Sequence, residues 1–277
     1  MNKTANRTGF AVLVVAITVA ALASLPGCRD TTYDEPETTW PKCVAPDRDE
    51  YKAEHGIFPE DGAEDLEGTY EGMEHTVLFV FDKSGSMADT WDHRNKWKVA
   101  RDAMVYSVSN YKHYLTAGAI FFPTDMDCEV EMITDTAQID YTGGYGFLDR
   151  WSLLDSQHMP VGQTPLNLAL KRADEAIDLA CDTGVLDRPF KVVLMTDGAP
   201  NCDYDYDELL SYPQHWLEQG IETHVIGMPG SEEAEALLEQ LATAGGSDLL
   251  LLPATDDPDQ TEEDVEDFEE EVDIACE

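Results

Sequence analysis

The chain has 277 residues, with 57 acidic against 17 basic side chains and a formal net charge of −40. That length suits one well-buried domain with flanking segments better than several domains. So negative a field repels nucleic acid and anionic lipid surfaces and concentrates cations, which excludes nucleic acid as a partner.

In chain order, residues 1–27 carry Lys3 and Arg7, then an apolar uncharged stretch, then small residues before Cys28. This is the make-up of a secretory signal peptide, too short for a comfortable membrane span. Leu25-Pro26-Gly27-Cys28 resembles a bacterial lipoprotein processing site, with Pro26 where a small or β-branched residue is usual. The resemblance implies a lipidated Cys28 that attaches the chain to a membrane of the bacterial cell envelope. Residues 28–73 are polar, acidic and rich in Pro and Gly, and read as a tether.

An apolar run, Val77-Leu78-Phe79-Val80-Phe81, opens the folded part and reads as a buried parallel strand. Trp97, Ala100, Met104, Val105 and Val108 recur at helical spacing and predict a helix over residues 96–114. A strand over 117–122 follows, with a short edge strand expected at 130–133. Residues 136–159, with Gly143, Gly144 and Gly146, read as a long loop with one helical turn. Pro165 suits a helix start, and an apolar stripe continues to Cys181. Strands at 192–195, 222–226 and 249–252 then alternate with helices at 208–219 and 232–244. The pattern predicts a doubly wound α/β fold, a mostly parallel sheet with helices on both faces. The acidic residues 256–277 carry Val265, Phe268, Val272 and Ala275 at helical spacing, so a final helix packed on the sheet is expected over a free tail.

Ligand sites in such sheets lie beyond the carboxyl ends of the strands. Here the first strand runs directly into Asp82-Lys83-Ser84-Gly85-Ser86, one carboxylate and two hydroxyls at alternating positions. These are hard oxygen donors of the kind that Mg²⁺, Mn²⁺ and Ca²⁺ accept. Gly162-Gln163-Thr164-Pro165 adds a hydroxyl before a helix, and Met195-Thr196-Asp197-Gly198 adds a carboxylate at a second strand tip.

Together these three segments resemble the von Willebrand factor type A family and its metal-ion-dependent adhesion site, over residues 74–255. The resemblance implies a Rossmann-like fold and a cation held by Asp82, Ser84, Ser86, Thr164 and Asp197. It implies Mg²⁺ as the ion, with Mn²⁺ or Ca²⁺ able to substitute, and a protein ligand whose carboxylate completes the coordination. Lys83 and Met87 flank the site as rim or structural residues. The function so implied is adhesion or envelope protein–protein interaction; the alternative is a recruiting or regulatory subunit of a larger enzyme or secretion complex. A metal-dependent hydrolase is disfavoured, since no G-x-S-x-G elbow or phosphate loop is present.

The cysteines left after Cys28 are Cys43, Cys128, Cys181, Cys202 and Cys276, in an oxidising compartment. Cys128 and Cys202 both follow strand tips on the metal side, so a Cys128–Cys202 disulfide is expected, with Cys43–Cys276 closing the two ends of the domain. Residues 203–207, Asp-Tyr-Asp-Tyr-Asp, resemble the start of a calcium loop but lack its Gly and closing Glu. They read either as a second metal site or as a solvated loop whose last Asp caps the next helix.

Overall fold

The computed structural model describes residues 44–45, 75–91, 93–155, 159–252, 268, 270 and 272. The signal peptide, Cys28, most of the tether and the Cys43–Cys276 pairing lie outside the described residues.

Strand β1 (His75–Asp82) is buried along its whole length and forms the axis of the sheet. Its side chains alternate between two cores, as a strand covered on both faces requires. Val77, Phe79 and Phe81 enter one core with Trp97, Ala100 and Met104 of helix α1 (Lys96–Tyr111). Leu78 and Val80 enter the other with Leu166, Ala169 and Leu170 of helix α3 (Leu166–Thr183). Between β1 and α1 lies a short antiparallel ribbon, β2 (Thr90–Trp91) and β3 (Arg94–Asn95). Strands β4 (Leu115–Phe122), β6 (Phe190–Thr196), β7 (Glu222–Gly227) and β8 (Leu249–Leu251) complete the parallel part. Strand β5 (Ile139–Gly143) lies antiparallel to β4 on the outer edge, giving the order β5-β4-β1-β6-β7-β8.

Helix α2 (Gly144–Leu154) lies with α1 on the first face. Helices α4 (Tyr206–Glu218) and α5 (Glu235–Ala244) lie with α3 on the other. Phe268, Glu270 and Val272 are helical, and Phe268 and Val272 are buried in the first core, Phe268 edge-on to Trp91. No helix among the described residues is long and apolar enough to cross a membrane.

Three expectations are corrected. Residues 130–133 form no strand; the edge strand is β5, followed by three helical turns where a loop was expected. Two of the three glycines that read as loop signals, Gly144 and Gly146, serve close packing instead. A Cβ on Gly144 would come within 2.4 Å of Lys112 Cα, so only glycine lets α2 start against the end of α1. The apolar face of α2, Phe147, Trp151 and Leu154, was present at spacings of four and three. At α4 the capping residue is Asp205 rather than the last Asp of the run, and its Oδ1 accepts from the backbone of Asp207 and Glu208.

Cys128 and Cys202 form a disulfide that joins the loop after β4 to the loop after β6. Cys181, near the end of α3, is also disulfide-bonded.

The bridge closes a loop of 74 residues, so its loss removes a substantial restraint on the unfolded chain. Cys128→Ala with Cys202→Ala is expected to cost roughly 2–4 kcal/mol in non-reducing denaturant unfolding, with far-UV dichroism retained. A second prediction concerns Asp174, which accepts from Trp216 Nε1 at 2.9 Å. Burial pushes its carboxyl up to about 6, against the pull of that hydrogen bond and helped by Asp178 and Glu175. The folded-state value lies above the unfolded one, so the fold holds this proton more tightly and loses stability as pH rises from about 4 to 6. Asp174→Asn keeps an acceptor for Trp216; its Tm is expected to exceed the parent's by roughly 2–4 °C at pH 7.5 and to match it at pH 4.

Candidate metal centre

Strands β1 and β6 are parallel neighbours in a register that sets Phe81 opposite Met195, so Asp82 and Asp197 emerge at adjacent strand tips. The chain leaves β1 toward the first face and β6 toward the second, which makes this the switch point where open α/β sheets form their crevice. Asp82 is fully buried and Asp197 is 2% exposed. The backbone turns after Asp82 through a short 3₁₀ segment, Gly85–Ala88. Ser84 N–H donates to Asp82 Oδ1 at 2.7 Å, and Thr196 Oγ1 donates to Asp82 Oδ2 at 2.6 Å. Ser84 Oγ and Ser86 Oγ lie 3.1 Å apart, and Ser86 Oγ donates to Asp197 Oδ1 at 2.7 Å.

Thr164 comes from a loop held by backbone bonds. Gly85 N–H donates to Gly162 O at 3.1 Å, Val161 N–H to Lys83 O at 2.8 Å, and Asn201 N–H to Thr164 O at 3.3 Å. Asn201 returns the contact by accepting from Thr164 N–H at 2.6 Å. Gly162, at φ +83°, lets this loop close on its neighbour, since a Cβ there would meet Asp125 O at 2.6 Å. The Cys128–Cys202 disulfide clamps the flanking loops beside Gln163, whose Oε1 lies 3.8 Å from Cys128 Sγ.

The structure therefore brings all five sequence-derived residues to one crevice. Asp82, Ser84, Thr164 and Asp197 are buried, while Ser86 is exposed and opens the site to solvent. Of the two flanking residues, Met87 is fully buried in the core beneath the 3₁₀ turn, and Lys83 points its ammonium at Thr124 O, 3.2 Å away. Both are structural rather than part of the rim. Three further residues had no signal in the sequence: Thr196, Asn201 and Lys96. Lys96, the first residue of α1, is buried and pairs with Asp197 Oδ2, and its Nζ also donates to Pro229 O at 2.8 Å.

Burial first, and the nearby Asp197 charge second, push the Asp82 carboxyl up to about 7 in spite of the bonds from Thr196 and Ser84. Two buried carboxylates against one buried ammonium leave an excess of negative charge. The donors also suit a small hard cation: the 3.1 Å between the serine hydroxyls is close to the octahedral edge of about 2.9 Å implied by Mg²⁺–O distances of about 2.0–2.1 Å. The set is hydroxyl-rich; among the described residues no group of three or more His, Cys, Asp or Glu side chains is placed to hold a metal, the 203–207 loop included.

No protein-family model matches the chain, and no curated protein does. Solved structures do. A point mutant of the PilB minor pilin from Streptococcus sanguinis superposes at TM-score 0.50 and 15% identity, covering 75% of this chain and 62% of that one. The pilus adhesin SpaC from Lactobacillus rhamnosus GG gives TM-score 0.50 and 13% identity, over 73% of this chain and 31% of that one. The SpRpn10 VWA domain aligns at TM-score 0.48 and 13% identity, over 69% and 95%. The chain thus spans about three-fifths of the pilin and a third of the adhesin, and at these identities the likeness is one of fold. That fold, a doubly wound sheet with its crevice at the β1/β6 tips, is the one the von Willebrand factor A resemblance of the sequence implies.

Proposed function

We propose that this chain is a binding protein of the bacterial cell envelope that holds a divalent cation at the β1/β6 crevice and, through it, the carboxylate of a protein partner. The observation that carries the reading is the convergence of Asp82, Ser84, Ser86, Thr164 and Asp197 on one crevice that opens at Ser86. The cation would supply a Lewis-acidic contact point, and Mg²⁺ suits a mixture of hydroxyls, water and one incoming carboxylate. Ser84 and Ser86 would ligate through their hydroxyls. Thr164, whose side chain makes no hydrogen bond with the described residues, has its hydroxyl available for the same role. Asp82 and Asp197 orient those hydroxyls and balance the charge.

Loops bordering the crevice leave apolar side chains in water, Met126 at 75%, Met159 at 64% and Tyr204 at 50% exposed. Exposed apolar groups around a polar contact point are the composition of a protein interface. An adhesion-type role accords with the fold shared with a minor pilin and a pilus adhesin, and membrane attachment through a lipidated Cys28 accords with the N-terminal sequence.

Calorimetric titration of Mg²⁺ and Mn²⁺ tests the cation. The parent chain is expected to bind with one site, and Asp82→Ala and Thr164→Ala to lose at least about 1.4 kcal/mol, tenfold, in affinity. The cation is also expected to raise the parent's Tm with concentration and leave the variants' unmoved. Equal binding by parent and variants, or none by the parent, would sink the reading.

A further inference from the structure

A crevice built to collect a cation also buries one of its own. The Lys96 side chain is 5% exposed, and its ammonium is held by Asp197 Oδ2 and Pro229 O. The loop after β7 is shaped around it: a Cβ on Gly230 would stand 3.2 Å from Nζ. Lys83, the other buried lysine nearby, donates to Thr124 O, and the charges of Asp125 and Glu131 act on it more strongly than that of Asp82.

The charge count gives Lys96 a consequence beyond structure. With both carboxylates ionised, Asp82 and Asp197 contribute two negative charges and Lys96 one positive, so a divalent ion brings the centre to a net of +1 rather than neutrality. In a buried crevice that surplus is weakly screened. It opposes entry of the bare ion and favours any anion that then joins it. Lys96 also occupies Asp197 Oδ2, leaving only Oδ1, already bonded to Ser86, on the ion's side.

We propose that Lys96 is a resident counter-cation that weakens the crevice's hold on a bare divalent ion and strengthens the loaded crevice's hold on an acidic ligand. The inference rests on the cation-binding reading above and deepens it: the partner's contact group is anionic because Lys96 leaves the centre positive. Lys96 acts through Asp197 and is a positioning residue in this scheme.

The test uses the full chain, its Lys96→Met and Lys96→Arg variants, Mn²⁺ alone as the first probe, and acetate added to the Mn²⁺-loaded protein as the second. Calorimetry reads the metal affinity, and water-proton relaxation reads displacement of water from Mn²⁺ by acetate. Lys96→Met is expected to bind Mn²⁺ about tenfold more tightly than the parent and acetate at least about threefold more weakly. Lys96→Arg, which keeps the charge, is expected to stay near the parent in both. A gain in metal affinity is not what simple damage to packing would produce. If Lys96→Met fails to fold by circular dichroism, Lys96→Gln carries the same expectation. Unchanged or weaker Mn²⁺ binding by the folded neutral variant, or unchanged acetate binding, overturns the role of Lys96 while leaving the cation site standing. Absence of Mn²⁺ binding by the parent itself takes down both.

Discussion

Two carboxylates buried at the tips of adjacent parallel strands are the constraint around which the rest of this structure is arranged. The β1–β6 register brings Asp82 and Asp197 together, and neither is free to retreat, because the residues before them are locked in the central ladder. Burial penalises the charged form and the like charge of Asp197 adds to the penalty, which is why Asp82 is displaced so far from the ordinary carboxylate range. The surroundings compensate in two ways. Donors from Ser84, Thr196 and Ser86 satisfy the oxygens, and Lys96 neutralises one of the two charges.

The segments that complete the crevice lie far apart in sequence, so their alignment depends on cross-links between loops rather than on the sheet. Lys83 and Gly85 pair with Val161 and Gly162 through the backbone, and Asn201 clasps Thr164 from the β6 side. The disulfide between Cys128 and Cys202 ties the outer loops across Gln163. A donor set fixed in this way has already met the ordering cost that a floppy set would incur on binding.

Much of this was legible in the sequence because the signals were local. The β1 run, the alternating Asp82, Ser84 and Ser86, and the strand ending in Asp197 each sit within a few residues, where pattern reads directly as position. What was missed depends on contacts between distant segments. Lys96 reads as an ordinary first residue of a helix until the fold sets it against Asp197, a hundred and one residues away. Asn201 and Thr196 are likewise unremarkable until their partners arrive. The glycines before α2 were misread for the opposite reason: Gly144 carries a strong local breaker signal, and tertiary packing against Lys112 overrides it.

The donor chemistry also explains why so acidic a chain does not fill its crevice with carboxylates. A ring of acidic side chains would neutralise a divalent ion and leave no reason for it to seek another anion. Serine and threonine hydroxyls would coordinate without adding formal charge, so the field at the crevice is set chiefly by the buried Asp82, Asp197 and Lys96, with Lys83 acting on Asp82 from beyond it. The crevice is closed by packing on the side of Asp82 and open at Ser86, so the remaining attraction of an ion held there would be directed outward, toward solvent and whatever anion solvent brings. The excess acidic residues on the outside of the chain then act in the opposite sense, repelling anionic solutes in general. An acidic group reaching an ion there would therefore have to offer more than charge, and the exposed Met126, Met159 and Tyr204 would supply the apolar contact that distinguishes such a ligand from a free anion.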